Sequence, residues 1–336
     1  MTKEKICVLS DGGWGTAIAL LLCCNGHDVT LWGPFPEYID AMKVEKENYK
    51  FLPGVPLDER LKLSADVAES VSGAKYIFLA SPSQFARTTL EKLKPFYSGQ
   101  LVISVAKGIE NGTLKRMSEV CAEVLGNDVR FCALSGPSHA EEVARKCPTA
   151  VVAASASPDD AKSVQEIMMN DYFRVYTTDD VISVELGGSL KNVLAIAAGV
   201  IDGMKIGDNA KAALITRGMA EMSRLGRALG GLEKTFAGLS GTGDLIVTCM
   251  SGHSRNRHVG EELGKGRSID DILKEMGLVV AEGVKTSKSS YELARKCNVI
   301  TPIIDEVYKT LYEGKDPRQA VYDLMTRKAR SEFDQA

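Results

Sequence analysis

Between residues 5 and 177, short β-rich runs alternate with helical stretches, and after about residue 180 no such run recurs. The runs are KICVL (5–9), DVTLW (28–32), YIFLA (76–80), LVISV (101–105), RFCAL (130–134), TAVVAAS (149–155) and FRVYT (173–177). Several are apolar at consecutive positions, as strands covered on both faces are. The alternation predicts a largely parallel sheet with helices on both sides. The rest of the chain reads as helices joined by glycine-rich turns, which predicts an all-α domain. At 336 residues the chain is also too long for one ordinary core. The expected division is an α/β domain over 1–183 and a helical domain over 184–336.

The first strand runs into SDGGWGTAIALLLCC, a tight turn followed by an apolar helix. Gly12 and Gly15 occupy the second and third positions of the dinucleotide fingerprint G-x-G-x-x-G. Without a Cβ there, backbone can approach a pyrophosphate and the helix can pack close to the strand. The helix N-terminus adds amides and a positive dipole end. Ser10 stands where the fingerprint has its first glycine, so the turn is either strained there or keeps a negative φ. At the end of the second strand an acid would bind a ribose hydroxyl and an arginine a 2′-phosphate. The chain has Trp32-Gly33-Pro34, and the choice between NAD and NADP stays open.

ELGGSLKNVLAIAAGVIDG (185–203) reads as a buried helix, apolar or small on nearly every face, yet it carries Lys191. Its neighbours three and four positions away are Gly187, Gly188, Leu194 and Ala195, none of them a carboxylate. A desolvated ammonium favours its neutral form, which suits a proton donor. The bland alternative is a packed stem with a head that snorkels to water.

Four further segments combine glycine with polar groups. SVAKGIENG (104–112) puts Lys107 just after a strand, at the edge where open α/β sheets bind ligands. SGPSHAEEV (135–143) follows another strand, and Ser138 with Glu141 reads as a capping box. GLSGTGDLIVT (238–248) delivers Asp244 after a glycine cluster, as a ligand group or simply as an N-cap. SGHSRNRHVGEEL (251–263) reads as a helix capped by Ser254 with Arg255 and Arg257 in its first turn. Cations there oppose the helix dipole, and a bound phosphate would reverse that argument. His253 and His258 flank the turn without the Cys, Asp or Glu spacing a metal site needs.

Composition removes several classes. The net charge of −3 offers nothing to attract nucleic acid or an anionic membrane. The eight cysteines form no C-x-x-C pair and sit mostly in apolar runs, which fits reduced thiols in a cytoplasmic protein. Asp11 and two glycines break the early apolar stretch, so no signal peptide is expected, and no apolar run reads as long enough to span a bilayer. Four histidines, with no G-x-S-x-G and no H-E-x-x-H, leave hydrolase chemistry unsupported.

The motifs together resemble the bacterial-type NAD(P)-dependent glycerol-3-phosphate dehydrogenases. The resemblance runs through GGWGTA (12–17), NYKFLPGVPL (48–57), SPSQ (81–84), AKGIE (106–110), LSGPSHAEEV (134–143), ELGGSLKN (185–192), GDNAKAALITRG (207–218), GTGDLIVTC (241–249), SRNR (254–257) and AEGVKT (281–286). It implies a Rossmann-type dinucleotide-binding domain followed by a helical substrate domain, usually as a homodimer. The implied reaction is reversible hydride transfer between NAD(P)H and dihydroxyacetone phosphate, giving glycerol 3-phosphate for phospholipid synthesis. On this resemblance Lys191 matches the proton donor/acceptor, and Lys107 the lysine touching cofactor and substrate. Gly136, Ser138, Asp244, Ser254, Arg255 and Asn256 match substrate contacts. Gly13, Trp14, Ala140, Arg255 and Glu282 match positions lining the cofactor, beside the fingerprint glycines Gly12 and Gly15. Two other readings stay open: a related two-domain dehydrogenase of the 3-hydroxyacid or ketopantoate type, and a non-catalytic dinucleotide-binding sensor.

Overall fold

The computed structural model describes residues 3–277, 281–329 and 331–332. They form two compact units, one of residues 3–108 and 115–185, the other of residues 109–114 and the described residues from 186 onward.

The first unit holds one eight-stranded sheet: β1 (Lys5–Leu9), β2 (Asp28–Trp32), β3 (Lys62–Ser64), β4 (Tyr76–Leu79), β5 (Leu101–Ser104), β6 (Phe131–Ser135), β7 (Thr149–Ala154) and β8 (Phe173–Thr178). Their order is β3-β2-β1-β4-β5-β6-β7-β8, and every pairing is parallel except β6 with β7. All seven expected runs are strands. β3 is the addition; its three residues, KLS, lie at the sheet edge and carry too little apolar pattern to announce a strand. The consecutive apolar runs have the anticipated cause. In β1, Ile6 and Val8 belong to one hydrophobic core while Cys7 and Leu9 belong to the other. The order reverses direction between β1 and β4, the kind of switch point where open α/β sheets bind ligands outside the strand ends.

In the second unit every named element is helical. Its first long helix, Val181–Gly203, begins at the end of the first unit and carries Lys191. With 23 residues it is long and apolar enough to cross a membrane by length and composition, contrary to the expectation of no such run. However, 94% of its apolar window is buried inside the protein. Three charges, Glu185, Lys191 and Asp202, interrupt the run, and its small residues are what a core helix packed on close neighbours requires. The segment Ile109–Leu114 is grouped with this unit, where Ser289 Oγ donates to the Ile109 carbonyl at 3.1 Å.

All eight cysteines are free thiols. Five are buried, and burial pushes the Cys23 and Cys249 thiols up to about 12.

Candidate functional site

In the α/β unit, β1 leads through Ser10–Gly12 into the Gly13–Cys24 helix. Ser10 adopts φ 121°, so the position retains the backbone conformation a glycine would take. A side chain held there costs about 1–3 kcal/mol. Its hydroxyl accepts from the Gly12 amide at 3.4 Å. Gly12 serves as N-cap with no side-chain cap, which leaves the first-turn amides for a ligand. A β-carbon on Gly12 would meet nothing nearer than the Ser10 hydroxyl at 3.7 Å, so its outer face is open. A β-carbon on Gly15 would lie 2.2 Å from the Ser10 carbonyl oxygen, and one on Gly13 would lie 2.4 Å from that of Phe51. Thus Gly15 is demanded by helix–strand packing, whereas Gly12 keeps space for a phosphate. These features fit a dinucleotide.

The neighbourhood of this turn includes Ala140, whose Cβ is 3.9 Å from where a Gly13 β-carbon would stand. It also includes Trp14, whose indole nitrogen is buried with no partner among the described residues. The Asn48 amide braces the turn, donating to the Asp11 carbonyl and to Thr16 Oγ1, each at 2.7 Å. Tyr38 in turn donates to Asn48 Oδ1 at 2.6 Å. Nothing in the local sequence pointed to this brace, because its members lie 10 to 37 positions apart. Burial raises the Asp11 carboxyl above the usual range, opposed by its own backbone amide and by Lys50.

Lys107 follows β5 as expected, and its ammonium donates to the Gly136 carbonyl at 3.0 Å and to Ser138 Oγ at 3.4 Å. Ser138 also donates to the Gly136 carbonyl, at 2.8 Å. The capping box is therefore corrected: the Ala140–Ala144 helix is entered through His139, and Ser138 caps nothing. A backbone at φ 146° on Gly136 turns the segment so that the serine faces Lys107 instead.

The helical unit builds a second cluster around Lys191. Gly187 and Lys191 lie one turn apart on the same helix face. A β-carbon on Gly187 would sit 2.4 Å from the Ser240 carbonyl, so the π-turn Leu239–Gly243 rests directly on that glycine. The chain then enters the Asp244–Met250 helix beside Lys191. Lys191 is 5% exposed and donates to the carboxylate of Asp244, which is fully buried, and to Thr248 Oγ1 at 2.8 Å. Asp244 is thus an ion-pair partner and not an N-cap, a role that falls to Gly243. The carboxylate that the lysine's neighbours three and four positions away do not supply arrives from 53 positions away and favours the charged ammonium. Thr248 was missed in the sequence; its spacing of four from Asp244 was the available signal.

The Arg255–Gly264 helix is capped by Ser254, whose Oγ accepts from the Arg257 amide at 3.2 Å. β-Carbons on Gly199 and Gly260 would each lie 1.9 Å from a carbonyl of the opposing helix, so this helix packs backbone to backbone on that of Lys191. Its two arginines diverge. Arg257 is committed to Asp202 at 2.6 Å and to Glu261 at 3.5 Å, whereas Arg255 makes no ion pair among the described residues. Asn256 donates to Asn192 Oδ1 at 3.0 Å and accepts from the Gly283 amide at 2.9 Å. Its side chain therefore joins the turn to the residue after Lys191 and to the start of the Glu282–Lys296 helix, which brings Glu282 alongside. The 254–257 turn, Lys191 and Glu282 are one neighbourhood. No cluster of three metal-ligating side chains occurs among the described residues.

A parallel sheet with a glycine turn open to phosphate, joined to a helical unit with a buried, paired lysine, defines a two-unit dinucleotide-binding protein of Rossmann type. Comparison with known proteins narrows this. The family profiles described as NAD-dependent glycerol-3-phosphate dehydrogenase N-terminus and C-terminus match residues 5–161 and 180–322. A glycerol-3-phosphate dehydrogenase (NAD(P)+) of Chlorobium limicola is 51% identical over 331 residues, covering 97% of this chain and 99% of that protein. One of Citrifermentans bemidjiense is 49% identical over 332 residues, covering 98% and 99%. The crystal structure of glycerol-3-phosphate dehydrogenase from Coxiella burnetii superposes with a TM-score of 0.93 at 40% identity, covering 97% of this chain and 99% of that one. The chain belongs to the NAD-dependent glycerol-3-phosphate dehydrogenase family.

Proposed function

We propose that this protein catalyses the reversible NAD(P)-linked reduction of dihydroxyacetone phosphate to sn-glycerol 3-phosphate, supplying phospholipid synthesis. The observation that carries the reading is the Lys191–Asp244–Thr248 cluster joined through Asn192 and Asn256 to a turn bearing an uncommitted arginine. A ketone that becomes an alcohol needs a hydride, a proton for the developing alkoxide, and an anchor for the rest of the molecule. When bound, the nicotinamide cofactor supplies the hydride. Lys191 gives the proton to the alkoxide oxygen and takes it back in the reverse direction, a contribution typically worth ~10²–10⁴-fold. Asp244 and Thr248 hold the ammonium in place. Lys107 helps polarise the same oxygen.

Arg255 anchors the substrate phosphate, with Ser254 and the amides of the helix end. Asn256 contributes through its backbone amide and its remaining side-chain hydrogen, because its amide oxygen already serves Gly283. Gly136 and Ser138 present Lys107. Gly12, Gly13, Trp14 and Gly15, with Ala140 and Lys107, would hold the cofactor in the α/β unit, and Arg255 and Glu282 are the residues of the helical unit that would meet it. The free thiols and modest negative charge support a cytoplasmic enzyme acting on a small molecule, not on nucleic acid or membrane, and we place it as a homodimer.

The test is oxidation of NADH and of NADPH, measured separately, by the purified protein with dihydroxyacetone phosphate, against unphosphorylated dihydroxyacetone. Phosphate-dependent turnover is expected. Cofactor binding without turnover would move the assignment to a 3-hydroxyacid or ketopantoate-type substrate or to a sensor.

A further inference from the structure

The end of β2 is where a dinucleotide fold places the group that reads the adenosine ribose. Here that end is Trp32-Gly33-Pro34, with neither acid nor arginine. The fold brings an acid there from another element. β1 and β2 pair in register Leu9↔Trp32, and the Ser10 amide donates to the Trp32 carbonyl at 3.0 Å, so the chain leaving β1 runs beside the end of β2. Asp11 then turns its carboxylate onto Gly33. A β-carbon at position 33 would lie 2.6 Å from Asp11 Oδ2 and 2.7 Å from Ile39 Cδ1. The space that a side chain of residue 33 would fill is therefore occupied by the carboxylate of residue 11.

That carboxylate is short of partners. Asp11 is 5% exposed, and its Oδ2 has no hydrogen-bond donor among the described residues. Buried polar atoms in folded proteins are nearly always paired, and an unpaired carboxylate oxygen is costly. The backbone of Asp11 is held firmly by the Asn48 amide, so the side chain has not simply drifted into a poor position. The cation whose field reaches it is Lys50, which is exposed and stands 4.4 Å over the Tyr38 ring. A ribose hydroxyl is the donor this oxygen lacks.

We propose that Asp11 takes the part of the missing β2 acid: its Oδ2 accepts a hydroxyl of the adenosine ribose and its charge repels a 2′-phosphate, so the protein selects NAD(H) over NADP(H). The proposal rests on the dehydrogenase reading above and adds the cofactor choice to it. Gly33 is the positioning partner, since only a residue without a side chain leaves room for the carboxylate.

The test is binding, not turnover. Fluorescence titration gives dissociation constants for NADH and NADPH, and calorimetry gives them for 5′-AMP and 2′,5′-ADP as probes of the adenosine end. The wild-type protein is expected to bind NADH and 5′-AMP at least about tenfold more tightly than their 2′-phosphorylated counterparts. Asp11→Asn keeps the shape, removes the charge and should narrow that ratio about 10- to 100-fold, mainly by tightening the 2′-phosphorylated ligands. Gly33→Ala keeps the charge but displaces it, and should narrow the ratio too. An unchanged ratio in both variants, or a wild-type preference for NADPH, would overturn the role of Asp11 while leaving the dehydrogenase reading intact. Failure of the wild-type protein to bind any of the four ligands would overturn both together.

Discussion

The glycine turn of the α/β unit and the lysine cluster of the helical unit solve opposite problems. The turn exposes backbone: six consecutive residues, Ser10–Gly15, leave amides uncapped and one glycine face open. The cluster hides side chains: Lys191, Asp244 and Thr248 come from two helices and are each at most 5% exposed. A phosphate-binding turn can be local because backbone amides are available wherever the conformation permits. A proton donor must be desolvated and oriented at once, which takes partners from distant parts of the chain.

The comparison breaks most visibly at Lys191. Lys191→Ala should lower kcat by ~10²–10⁴-fold in a protein that still binds NADH at the untouched turn. Wild-type-like turnover would end the proton-donor assignment. The same variant leaves Asp244 buried without its cation, and a loss of roughly 3–5 kcal/mol in denaturant melts is expected as well.

A second prediction concerns the stability of the helical unit alone. Glu221 is buried, and desolvation pushes its carboxyl up to about 7, although it accepts from the Ile303 and Ile304 amides. The folded state therefore keeps this proton to a higher pH than the unfolded chain, whose glutamates titrate near 4.5. The contribution is fully present below that value and is lost as pH rises to about 7, by up to about 3 kcal/mol. Unfolding measured from pH 4.5 to 7.5 should show this decline, and Glu221→Gln should remove it. A wild-type profile that rises over the window would contradict the sign.

Arg255→Ala sharpens the division of labour within the helical unit. It should cost about 1.5–3 kcal/mol in kcat/KM for dihydroxyacetone phosphate and little for unphosphorylated dihydroxyacetone. Equal losses on the two substrates would remove the phosphate anchor. Arg257→Ala, by contrast, breaks the pair with Asp202 and should act on melting temperature more than on substrate discrimination.

The smallest effect belongs to the turn. Ser10→Gly relieves the positive φ and should stabilise the protein by about 1 kcal/mol without weakening NADH binding. A destabilised variant would mean that the hydroxyl contact to the Gly12 amide outweighs the backbone strain.

Most of the fold was legible in the sequence. The seven long strands declared themselves through runs apolar on both faces, and the fingerprint glycines marked the turn between β1 and its helix. The edge strand β3 did not, because three residues that include an exposed lysine carry no such pattern. Within the site, Lys107, Lys191, Asp244 and Ser254 were each visible as polar groups beside glycine or at a helix start. Ser138 was misread because its spacing to Glu141 imitates a capping box, and only the turn at Gly136 diverts it to Lys107.

What the sequence determined by itself is what short-range physics dictates: periodicity, helix starts and the need for glycine at a tight turn. The tertiary structure decided which distant groups meet. Gly187 admits the 239–243 turn and so delivers Asp244 and Thr248 to Lys191. Gly199 and Gly260 bring Arg255 to the same helix, and Gly33 makes room for Asp11 at the end of β2. Each of these glycines reads in one dimension only as a missing side chain. Its purpose is a close approach by a segment tens of residues away or, for Gly33, by the neighbouring strand's turn, and such an approach is settled only when the chain packs.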